Sequence, residues 1–352
     1  MKRSPACRVS IVIKALNEEA NVAAAIESCL AALSGMDGEV VLADSASTDG
    51  TVQVARRYPI RIVQLARPQE RSCGAGPQLG WQHCQGEYVQ IVDGDMKMVP
   101  GFLEQALSFL AQHPEIAGVA GRVVELNTAS VEYRERGERS QRAEAHRRPG
   151  AVDRLDGGGL YRRRAIEEAG WFSDRNLHSY EEFDLALRLR ARGWKLWRLP
   201  VDAVTHHGHD SPPYRLLLRR WRSRYACGAG EVLRAALAQG RARGVLRGLR
   251  ELRLYLAVIG WWAVLASAPL WPLAARDAAL AFGALLLAPV AVMAWRKRSL
   301  SRAIYSVVSW NVHAAGVLRG LLARRQPPQA LIPSLVIQDP YTAARHGQEM
   351  CS

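Results

Sequence analysis

Two aspartates separated by one glycine are the residues of this sequence that could most directly do chemistry. Asp93-Gly94-Asp95 follows the apolar run Tyr88–Val92, which is typical of a buried strand in a parallel sheet. Paired carboxylates at a strand end can hold Mg²⁺ or Mn²⁺, because these ions prefer oxygen ligands and also bind phosphate oxygens. Gly94 would let the backbone approach a ligand closely. A solvated turn is the alternative, since Asp and Gly are common in turns.

Strands and helices alternate along the first part of the chain, which predicts an α/β fold with a doubly wound, mostly parallel sheet. The predicted strands cover 9–13, 39–43, 60–65 and 88–92. One predicted helix ends near 33, and two others cover 51–57 and 74–84. Because the carboxyl ends of parallel strands meet at one edge of a sheet, polar residues that follow them should gather there. These residues are Asn17, Glu19, Asp44, Asp49, Arg71, Asp93 and Asp95. The pattern indicates a nucleotide-binding site at that edge.

Five segments of the sequence, in this order, resemble the inverting glycosyltransferases of family 2, whose nucleotide-sugar-binding fold is called GT-A. The segments are Ser10–Ile13 with Asn17–Glu19, Asp44–Thr51, Gly86–Asp95, Gly157–Arg163 and Glu181–Leu185. The resemblance covers residues 8–232 and points to the membrane-anchored bacterial type. It implies a GT-A catalytic domain over 1–232 that binds a nucleotide-sugar donor, with Mg²⁺ or Mn²⁺ as cofactor.

The resemblance also implies a role for each matched residue. Asp44 would accept hydrogen bonds from ring N–H groups of the base, and Asp95 would coordinate the metal that bridges the diphosphate. The implied nucleotide-sugar-binding residues are Asn17, Glu19, Asp44, Arg71, Asp93 and Gly94, and the implied metal ligands are Asp95, Asp93 and His207. Glu182 stands at the position of the catalytic base, and Glu181 beside it is the second candidate.

Three positions depart from the family pattern. Lys14 stands where the family often has Pro, Gln78 stands where it often has Asn, and Glu182 stands where Asp is usual. A carboxylate survives at 182, so it can still accept a proton. The predicted helix 182–192 also offers a structural interpretation, because acids are favoured in the first turn of a helix. Which of Glu181 and Glu182 is the base stays open.

A histidine-rich segment follows the predicted strand 201–205. It contains His206, His207 and His209. Histidine is a common metal ligand, and the resemblance includes transferases with a late metal-binding histidine, so His207 is the preferred candidate. A solvated loop is the alternative interpretation of all three.

Two further segments are candidates for contacts with the acceptor or the diphosphate. Gly158 and Gly159 would let the backbone approach the sugar closely, or would form only a flexible turn. Arg220 and Trp221 lie in the segment 219–225, which partly resembles the segment with which processive relatives grip diphosphate and acceptor, although its leading Gln is missing. A basic face against lipid headgroups is the alternative for that segment.

Positive charge is concentrated in one stretch of the chain. The 352 residues carry a net charge of +14, and arginines dominate from Arg215 to Arg253, where acids are nearly absent. Such a stretch indicates nucleic acid or an anionic membrane as partner. Apolar runs over 254–275 and 278–295 favour the membrane, since each approaches the ~20 residues that cross a bilayer. We therefore expect a lipid bilayer as partner, and no nucleic acid.

The two apolar runs predict a hairpin of membrane-spanning helices that turns at Arg276 and Asp277. Arginines flank the outer ends of the hairpin, so the positive-inside rule places these ends, and the catalytic domain, in the cytoplasm. The predicted location is therefore the cell inner membrane, with multi-pass topology. We expect 233–253 to be a basic amphipathic juxtamembrane segment, 303–322 to be an interfacial helix or alternatively a third span, and 323–352 to be an irregular tail.

These features together predict a metal-dependent, inverting glycosyltransferase of the hexosyltransferase type, at work in cell-envelope polysaccharide biosynthesis. It would transfer sugar from a nucleotide sugar, expected to be a UDP-sugar, to a lipid-linked or polysaccharide-precursor acceptor. A transferase for a soluble or elongating acceptor is an alternative, and a catalytically inactive membrane scaffold is an alternative from another class. A nicotinamide-dependent dehydrogenase is disfavoured, because no Gly-x-Gly-x-x-Gly follows the first strand.

Overall fold

A β-sheet flanked by helices forms the centre of the fold in this computed structural model, which describes residues 8–126, 148–155, 157–208 and 212–341. Within those residues the strands are β1 (Val9–Ala15), β2 (Gly38–Asp44), β3 (Arg61–Leu65), β4 (Tyr88–Asp93), β5 (Met96–Met98), β6 (Ile116–Glu125), β7 (Gly150–Val152), β8 (Leu160–Arg162), β9 (Lys195–His206) and β10 (Ser334–Gln338). The helices of the same residues are α1 (Val22–Ala32), α2 (Thr51–Ala55), α3 (Ala75–His83), α4 (Phe102–Gln112), α5 (Arg163–Ala169), α6 (Glu181–Ala191), α7 (Pro213–Arg222), α8 (Gly228–Ala238), α9 (Ala242–Gly248), α10 (Arg250–Ala266), α11 (Ala275–Lys297) and α12 (Leu300–Leu322).

The sheet combines a parallel half with antiparallel additions. Its strand order is β10-β3-β2-β1-β4-β8-β6-β9-β5, and β7 pairs with β9. The strands β3, β2, β1 and β4 are parallel, and their apolar residues are buried because helices cover both faces. The strands β8, β5 and β10 run antiparallel to neighbours. The predicted α/β fold is confirmed, with a mixed sheet in which short returning strands complete the second half.

The C-terminal segment contains a strand, so the prediction of an irregular tail is wrong here. β10 pairs with β3 and covers an otherwise open sheet edge. Its apolar run Leu335–Ile337 is favourable for a strand. The Arg61 guanidinium fixes the end of this segment, because Nε lies 3.1 Å from Asp339 Oδ1 and the group stacks on the Tyr341 ring.

The described residues fall into two compact units. The sheet unit comprises 8–126, 148–155, 157–177, 181–208 and 326–341, and the helical unit comprises 178–180 and 212–325. The division near position 210 comes earlier in the chain than the predicted domain end at 232. It assigns α7 to α12 to the helical unit.

Glycines allow α8 and α12 of the helical unit to pack closely. A Cβ atom on Gly230 would lie 2.1 Å from the Val317 carbonyl oxygen, and one on Gly316 would lie 2.2 Å from the Ala226 carbonyl oxygen. Ala226 lies just before α8, so side chains at these positions would force α12 away from α8 and from the turn that leads into it. Small residues serve the same purpose in many tightly packed helix pairs.

The connection between α10 and α11 falls earlier than predicted. α10 ends at Ala266, while Arg276 and Asp277, predicted as the turn, lie inside the first turn of α11. Pro269 and Pro272 explain the difference, because proline lacks the N–H that a continuing helix needs. The predicted first helix, 254–275, therefore extends too far, whereas the predicted second helix, 278–295, lies within α11.

α11 is the one helix of the described residues that is long and apolar enough to cross a membrane, by length and composition alone. It has 23 residues, and its most apolar stretch has a mean hydropathy of 2.1 and is not buried inside the protein. Pro289 lies within it and leaves the Leu285 carbonyl without its helical donor. Trp261 of α10 donates its Nε1–H to this oxygen at 3.1 Å.

The predicted segment 303–322 is helical and forms most of α12. This helix packs against α8, α10 and α11, and its buried residues include Ala303, Ala314 and Gly316. It is thus an integral part of the helical unit. Its placement at a membrane interface, or across a membrane, stays a prediction.

Candidate active site

The parallel register of β1, β2 and β4 places the predicted polar residues side by side at the carboxyl ends of these strands. Lys14 of β1 is opposite Asp93 of β4, and Ala15 of β1 is opposite Asp44 of β2. The loops after these three strands therefore start side by side. Because ligands of such sheets bind at the carboxyl ends of the strands, this edge is the candidate active site.

Asp44 is a buried carboxylate with one oxygen satisfied and the other open. Its Oδ2 accepts hydrogen bonds from the Ser47 backbone N–H at 2.9 Å and from Gln64 Nε2 at 2.8 Å. Its Oδ1 is buried and has no hydrogen-bond partner in the part of the chain that the structure describes. A buried acceptor without a donor is costly, so Oδ1 is suited to a ligand N–H. The sequence did not predict a role for Gln64, which lies inside β3 and belongs to no motif.

Asn17 and Glu19 hold the loop that follows β2. Asn17 Oδ1 accepts a hydrogen bond from the Thr48 backbone N–H at 2.8 Å, and Glu19 Oε2 accepts one from the Gly50 backbone N–H at 3.0 Å. Asn17 itself has a positive φ of 59°, a conformation that asparagine tolerates well. The contacts seen here shape the loop beside Asp44.

Arg71 also supports the loop that follows β2. Its Nε donates to the Ser45 carbonyl at 2.8 Å, and its Nη2 donates to the Ala46 carbonyl. Ala46 has a φ of 58°, which is unfavourable for a residue with a Cβ. The guanidinium therefore helps to hold a strained turn directly after Asp44.

Lys14 connects two groups of carboxylates in the sheet unit. Its Nζ lies 3.0 Å from Asp93 Oδ1 and 3.4 Å from Glu181 Oε1. Burial alone would lower the pKa of Lys14, but the negative charges of Asp93, Glu181 and Glu182 raise it well above the usual value. The ammonium group therefore stays charged and partly neutralises the acids around it.

Glu181 and Glu182 are the first two residues of α6. Burial raises the pKa of Glu182 to about 8; the charge of Glu181 adds to the rise, and Lys14 opposes it. Glu181 is buried and paired with Lys14. Because neighbouring carboxylates do not ionise independently, the two residues bind protons as a pair. A carboxyl group with a pKa near the working pH is suited to proton transfer.

The Asp95 carboxylate contacts His206 of the histidine-rich segment. Asp95 Oδ2 lies 3.1 Å from His206 Nε2, and His206 Nδ1 lies 2.6 Å from Glu125 Oε2. Burial alone would lower the pKa of His206, but the hydrogen bonds and charges of the two acids raise it to about 10. His207 donates its backbone N–H to the Asp95 carbonyl at 3.2 Å. His209 lies outside the described residues.

Asp93 and Asp95 are the residues that best fit a divalent metal. No group of three or more His, Cys, Asp or Glu side chains is placed to hold a metal ion within the described ranges. Mg²⁺ and similar ions often bind through one or two carboxylates and complete their shell with substrate phosphates and water. The side chain of Asp93 is 30% exposed and can reach such a ligand. In this structure Asp93 is paired with Lys14 and Asp95 with His206, so the assignment of these two carboxylates to a metal stays a prediction.

Glu18 is an acid of this site to which sequence reasoning gave no role. Burial raises its pKa to about 7, a hydrogen bond from Asn21 opposes this, and the charges of Asp95 and Asp93 add to the rise. A Cβ atom on Gly94 would lie 2.8 Å from Glu18 Cγ. Gly94 therefore lets the Asp-Gly-Asp turn pack over Glu18.

Gly158 and Gly159 line a small cavity beside the glutamate pair. The cavity has a volume of about 20 Å³, and Lys14, Tyr161 and Glu182 are among its other lining residues. This is room for about one water molecule. Gly158 has a φ of 84°, which strongly favours glycine. The glycines thus place backbone, rather than side chains, next to the acids.

Buried polar contacts hold the segment that leads into α6. Arg188 is 1% exposed, and its guanidinium donates to Asp184 Oδ2 at 2.8 Å and to the Phe172 carbonyl at 2.9 Å. Gln78 Oε1 accepts a hydrogen bond from the Ser173 backbone N–H at 3.0 Å. An amide at position 78 therefore has a structural function, although it departs from the family residue. These contacts restrict where the glutamate pair can lie.

Arg220 and Trp221 belong to the helical unit. The Arg220 guanidinium lies 5.3 Å from the centre of the Tyr225 ring, and the Arg319 guanidinium lies 5.0 Å from that of the Trp221 ring. These are cation–π contacts. The assignment of Arg220 and Trp221 to acceptor or diphosphate binding stays a prediction.

Known proteins resemble part of this chain in sequence. Residues 10–170 match the family model described as Glycosyl transferase family 2. Glucomannan 4-beta-mannosyltransferase 2 from Arabidopsis thaliana is 30% identical over 164 residues, which are 44% of this chain and 29% of the relative. The chain therefore spans less than a third of the length of this curated relative.

Solved structures show the same fold. Mannosyltransferase PcManGT from Pyrobaculum calidifontis, in complex with GDP-Man and Mn²⁺, is 21% identical and covers 88% of this chain and 87% of its own, with a TM-score of 0.55. TarS from S. aureus is 18% identical and covers 88% of this chain and 55% of its own, with a TM-score of 0.51. At these identities the likeness establishes the fold alone, and it confirms the GT-A prediction.

Proposed function

We propose, from the match of residues 10–170 to Glycosyl transferase family 2, that the chain transfers a hexose, with inversion, from a UDP-sugar to a lipid-linked or polysaccharide-precursor acceptor. The reaction takes place at the cytoplasmic face of the inner membrane. One observation carries the proposal. Lys14 lies 3.0 Å from Asp93 and 3.4 Å from Glu181, and so joins the nucleotide side of the site to a carboxyl pair suited to proton transfer.

Donor binding in this proposal uses the edge formed by the first strands. The open Oδ1 of Asp44 accepts a hydrogen bond from a ring N–H of the base, since it is buried and otherwise unsatisfied. The loop over 45–51, held by Asn17, Glu19 and Arg71, surrounds the nucleoside.

Glu182 is the proposed base for the transfer step. Its carboxylate takes the proton of the acceptor hydroxyl, while the acceptor oxygen forms a bond to the anomeric carbon. The bond between that carbon and the phosphate oxygen breaks at the same time, and its electron pair leaves with the nucleoside diphosphate. Attack from the side opposite the leaving group inverts the anomeric centre. Glu181, paired with Lys14, raises the proton affinity of Glu182 without acting on the substrate.

Asp93 and Asp95 are the proposed ligands of Mg²⁺ or Mn²⁺, with His207 as a further candidate. When bound, such an ion neutralises charge on the diphosphate leaving group. His206 orients the Asp95 carboxylate through its hydrogen bond at 3.1 Å.

Attachment to the membrane is supported by the helical unit. α11 has the length and hydropathy of a membrane span. Basic residues precede α10 and follow α11, as expected for two cytoplasmic ends. In the proposed multi-pass arrangement α10 enters the bilayer with α11, and the catalytic domain stays in the cytoplasm.

The direct test of function uses the purified full chain with a panel of nucleotide sugars, Mn²⁺ and bacterial membrane lipids. We expect hydrolysis of one UDP-sugar, and transfer to a lipid fraction when lipids are added. The variant Glu182→Gln serves as the matched control for contaminating activity. An absence of donor turnover with every nucleotide sugar would favour the scaffold alternative.

A further inference from the structure

An irregular segment of the sheet unit, the strap 326–333, leads directly into β10. Its sequence contains Pro327, Pro328 and Pro333, which lack the backbone N–H that a helix or a paired strand needs. A segment without regular structure must pair its remaining backbone groups with side chains, with other backbone groups or with water. The strap therefore depends on its surroundings in the sheet unit for hydrogen bonds.

Two amide side chains of the sheet unit bind the backbone of the strap near its two ends. Asn176 Nδ2 donates to the Gln326 carbonyl at 2.9 Å, and Asn176 Oδ1 accepts from the Gln326 N–H at 2.8 Å. Gln82 binds Ile332 in the same way, since its Nε2 donates to the carbonyl at 3.2 Å and its Oε1 accepts from the N–H at 2.9 Å. Each amide thus fixes both backbone groups of one strap residue.

Arg175 joins the middle of the strap to the turn 66–72, which follows β3. The residue is buried, and its Nη1 donates to the carbonyls of Ala330 and Leu331 at 3.3 Å and 3.1 Å. Nη2 of the same guanidinium pairs with the Glu70 carboxylate. Because a buried guanidinium is stable only when its donors are paired, Arg175 binds the strap and Glu70 together.

The contacts of Arg175 lie on both sides of Arg71 in the sequence. Glu70 pairs with the Arg175 guanidinium, and Ser72 Oγ donates to the Arg175 carbonyl at 2.8 Å. Both neighbours of Arg71 are therefore attached to one residue. Arg71 in turn donates to two carbonyls of the loop 45–51. A continuous set of hydrogen bonds thus connects the strap with the loop that follows Asp44.

We propose that Arg175 is a positioning residue for the nucleotide donor. With the strap it fixes the turn 66–72, so that Arg71 holds the loop beside Asp44 in the conformation that receives the base. The proposal rests on the proposed function, in which this loop surrounds the nucleoside. It predicts that loss of Arg175 weakens donor binding and leaves the chemical step unchanged.

Hydrogen exchange of the full chain without nucleotide tests whether Arg175 holds the loop. We expect Arg175→Ala to speed exchange about tenfold in 45–51 and in 66–72, because both lose a fixed neighbour. Arg162→Ala is the matched control. Arg162 also donates to backbone carbonyls, but its strand partner is Tyr88 at the start of β4, away from the carboxyl ends of the parallel strands. It should leave exchange in 45–51 unchanged.

Binding of UDP in the presence of Mn²⁺ tests the consequence for the donor. We expect Arg175→Ala to raise the Kd for UDP and the KM for the donor about tenfold. Its kcat should stay within about twofold of the wild type, because a residue that only places the donor loop does not act in the chemical step. Arg162→Ala should keep the wild-type Kd. Gln82→Met removes both bonds to Ile332 and changes no residue of the turn 66–72, so it should raise the Kd by less than Arg175→Ala.

Wild-type exchange over 45–51 in Arg175→Ala would overturn the proposal, because the loop would then not depend on this residue. An equal rise of the Kd in Arg175→Ala and Arg162→Ala would overturn it too, since it would indicate a general loss of stability. A wild-type Kd in Gln82→Met would show that the strap takes no part.

If Arg175→Ala does not fold, Arg175→Lys takes its place. An ammonium group keeps a positive charge beside Glu70, but it lacks the planar fork that binds the carboxylate and two carbonyls at once. We expect faster exchange over 45–51 and a higher Kd for UDP in this variant as well. Wild-type values of both quantities would contradict the role of the guanidinium.

Donor turnover by the wild type separates this proposal from the proposed function. Equal turnover and equal UDP binding in the wild type and in Arg175→Ala would overturn the role of Arg175 alone. A wild type that neither binds UDP nor turns over any nucleotide sugar would overturn the proposed function, and with it the role of Arg175 in donor binding. Faster exchange over 45–51 in Arg175→Ala would in that case leave only the structural link standing.

Discussion

The sheet unit and the helical unit differ in the exposure of their arginines. In the sheet unit buried charges are paired, as for Arg61 with Glu39 at 2.6 Å and Arg188 with Asp184 at 2.8 Å. In the helical unit Arg219 and Arg222 are exposed, and so are large apolar residues such as Leu322, at 86%. Buried pairs fix reactive groups in place, whereas an exposed basic and apolar surface fits surroundings that are themselves anionic and apolar.

Removal of the Asp95 carboxylate should have the largest effect on the activity of the sheet unit. We expect Asp95→Ala to lower transfer by at least about 10³-fold, because the leaving diphosphate loses its counter-charge. Excess chelator should reproduce this loss in the wild type. The measurement is the initial rate of sugar transfer, with circular dichroism to show that the variant is folded.

The matched control for this variant is Asp202→Ala. Asp202 pairs with Arg122 on the surface and its side chain is 37% exposed, so its loss should change the rate little. Full wild-type activity in excess chelator would rule out the metal-dependent mechanism.

Removal of the Lys14 ammonium group tests whether the paired charges of the sheet unit are needed for transfer. We expect Lys14→Met to lower kcat by about 10²-fold, since three acids lose their common partner. Without that positive charge the pKa of Glu182 should lie above its value of about 8, so the rise of activity with pH should move to higher pH. Lys14→Arg should recover much of the rate, and Lys195→Met, at an exposed position, should have no effect. An unshifted pH profile in Lys14→Met would contradict the role of this residue.

A glycine substitution should damage the helical unit alone. In Gly316→Val the new side chain would meet the Ala226 carbonyl, since a Cβ would lie 2.2 Å away. We expect a loss of about 1–3 kcal/mol in the stability of this unit, visible as faster hydrogen exchange in α8 and α12. Gly283→Val is the control, because nothing lies within 4 Å of its Cβ position. Equal exchange in the two variants would show that α8 and α12 do not depend on this close approach.

Cysteine labelling, and not a rate measurement, tests on which side of the membrane the α10–α11 connection lies. In a cysteine-free background, Leu270→Cys should react with an impermeant maleimide in intact cells, because the proposed topology places this connection outside the cytoplasm. Leu331→Cys in the sheet unit should react only after lysis. Leu270 and Leu331 are 83% and 78% exposed, so both are accessible to the reagent. Labelling of Leu270→Cys only after lysis would contradict the proposed topology.

The sequence predicted the α/β fold and the cluster of polar residues at strand ends, because both depend on local patterns. It did not predict that His206 would contact Asp95. In the structure β9 continues through His206, which pairs with Met96 of β5. Neighbouring residues of a strand point to opposite faces, so the choice between His206 and His207 depends on a register that only the folded sheet defines.

The other missed residues have a similar explanation. Gln64 acts through contacts with a distant part of the chain, and no spacing in the sequence marks it. Glu18 lies inside the matched segment Asn17–Glu19, but its contact with Gly94 joins parts of the chain that are far apart in sequence. The break after α10 is different, since Pro269 and Pro272 were visible in the sequence. Their effect was underestimated, because proline is tolerated in membrane helices and Pro289 indeed lies inside α11.

The pH dependence of transfer in the two glutamate variants tests the central claim most directly. In the wild type kcat/KM should rise with pH and level off above about 8, since Glu182 must lose its proton to act as a base. Glu182→Gln should lower kcat by about 10²–10⁴-fold and abolish the rise. Glu181→Gln should cost less and move the rise to lower pH, because the pKa of Glu182 falls when the neighbouring charge is removed. A near-normal rate in Glu182→Gln beside a collapse in Glu181→Gln would contradict the assignment.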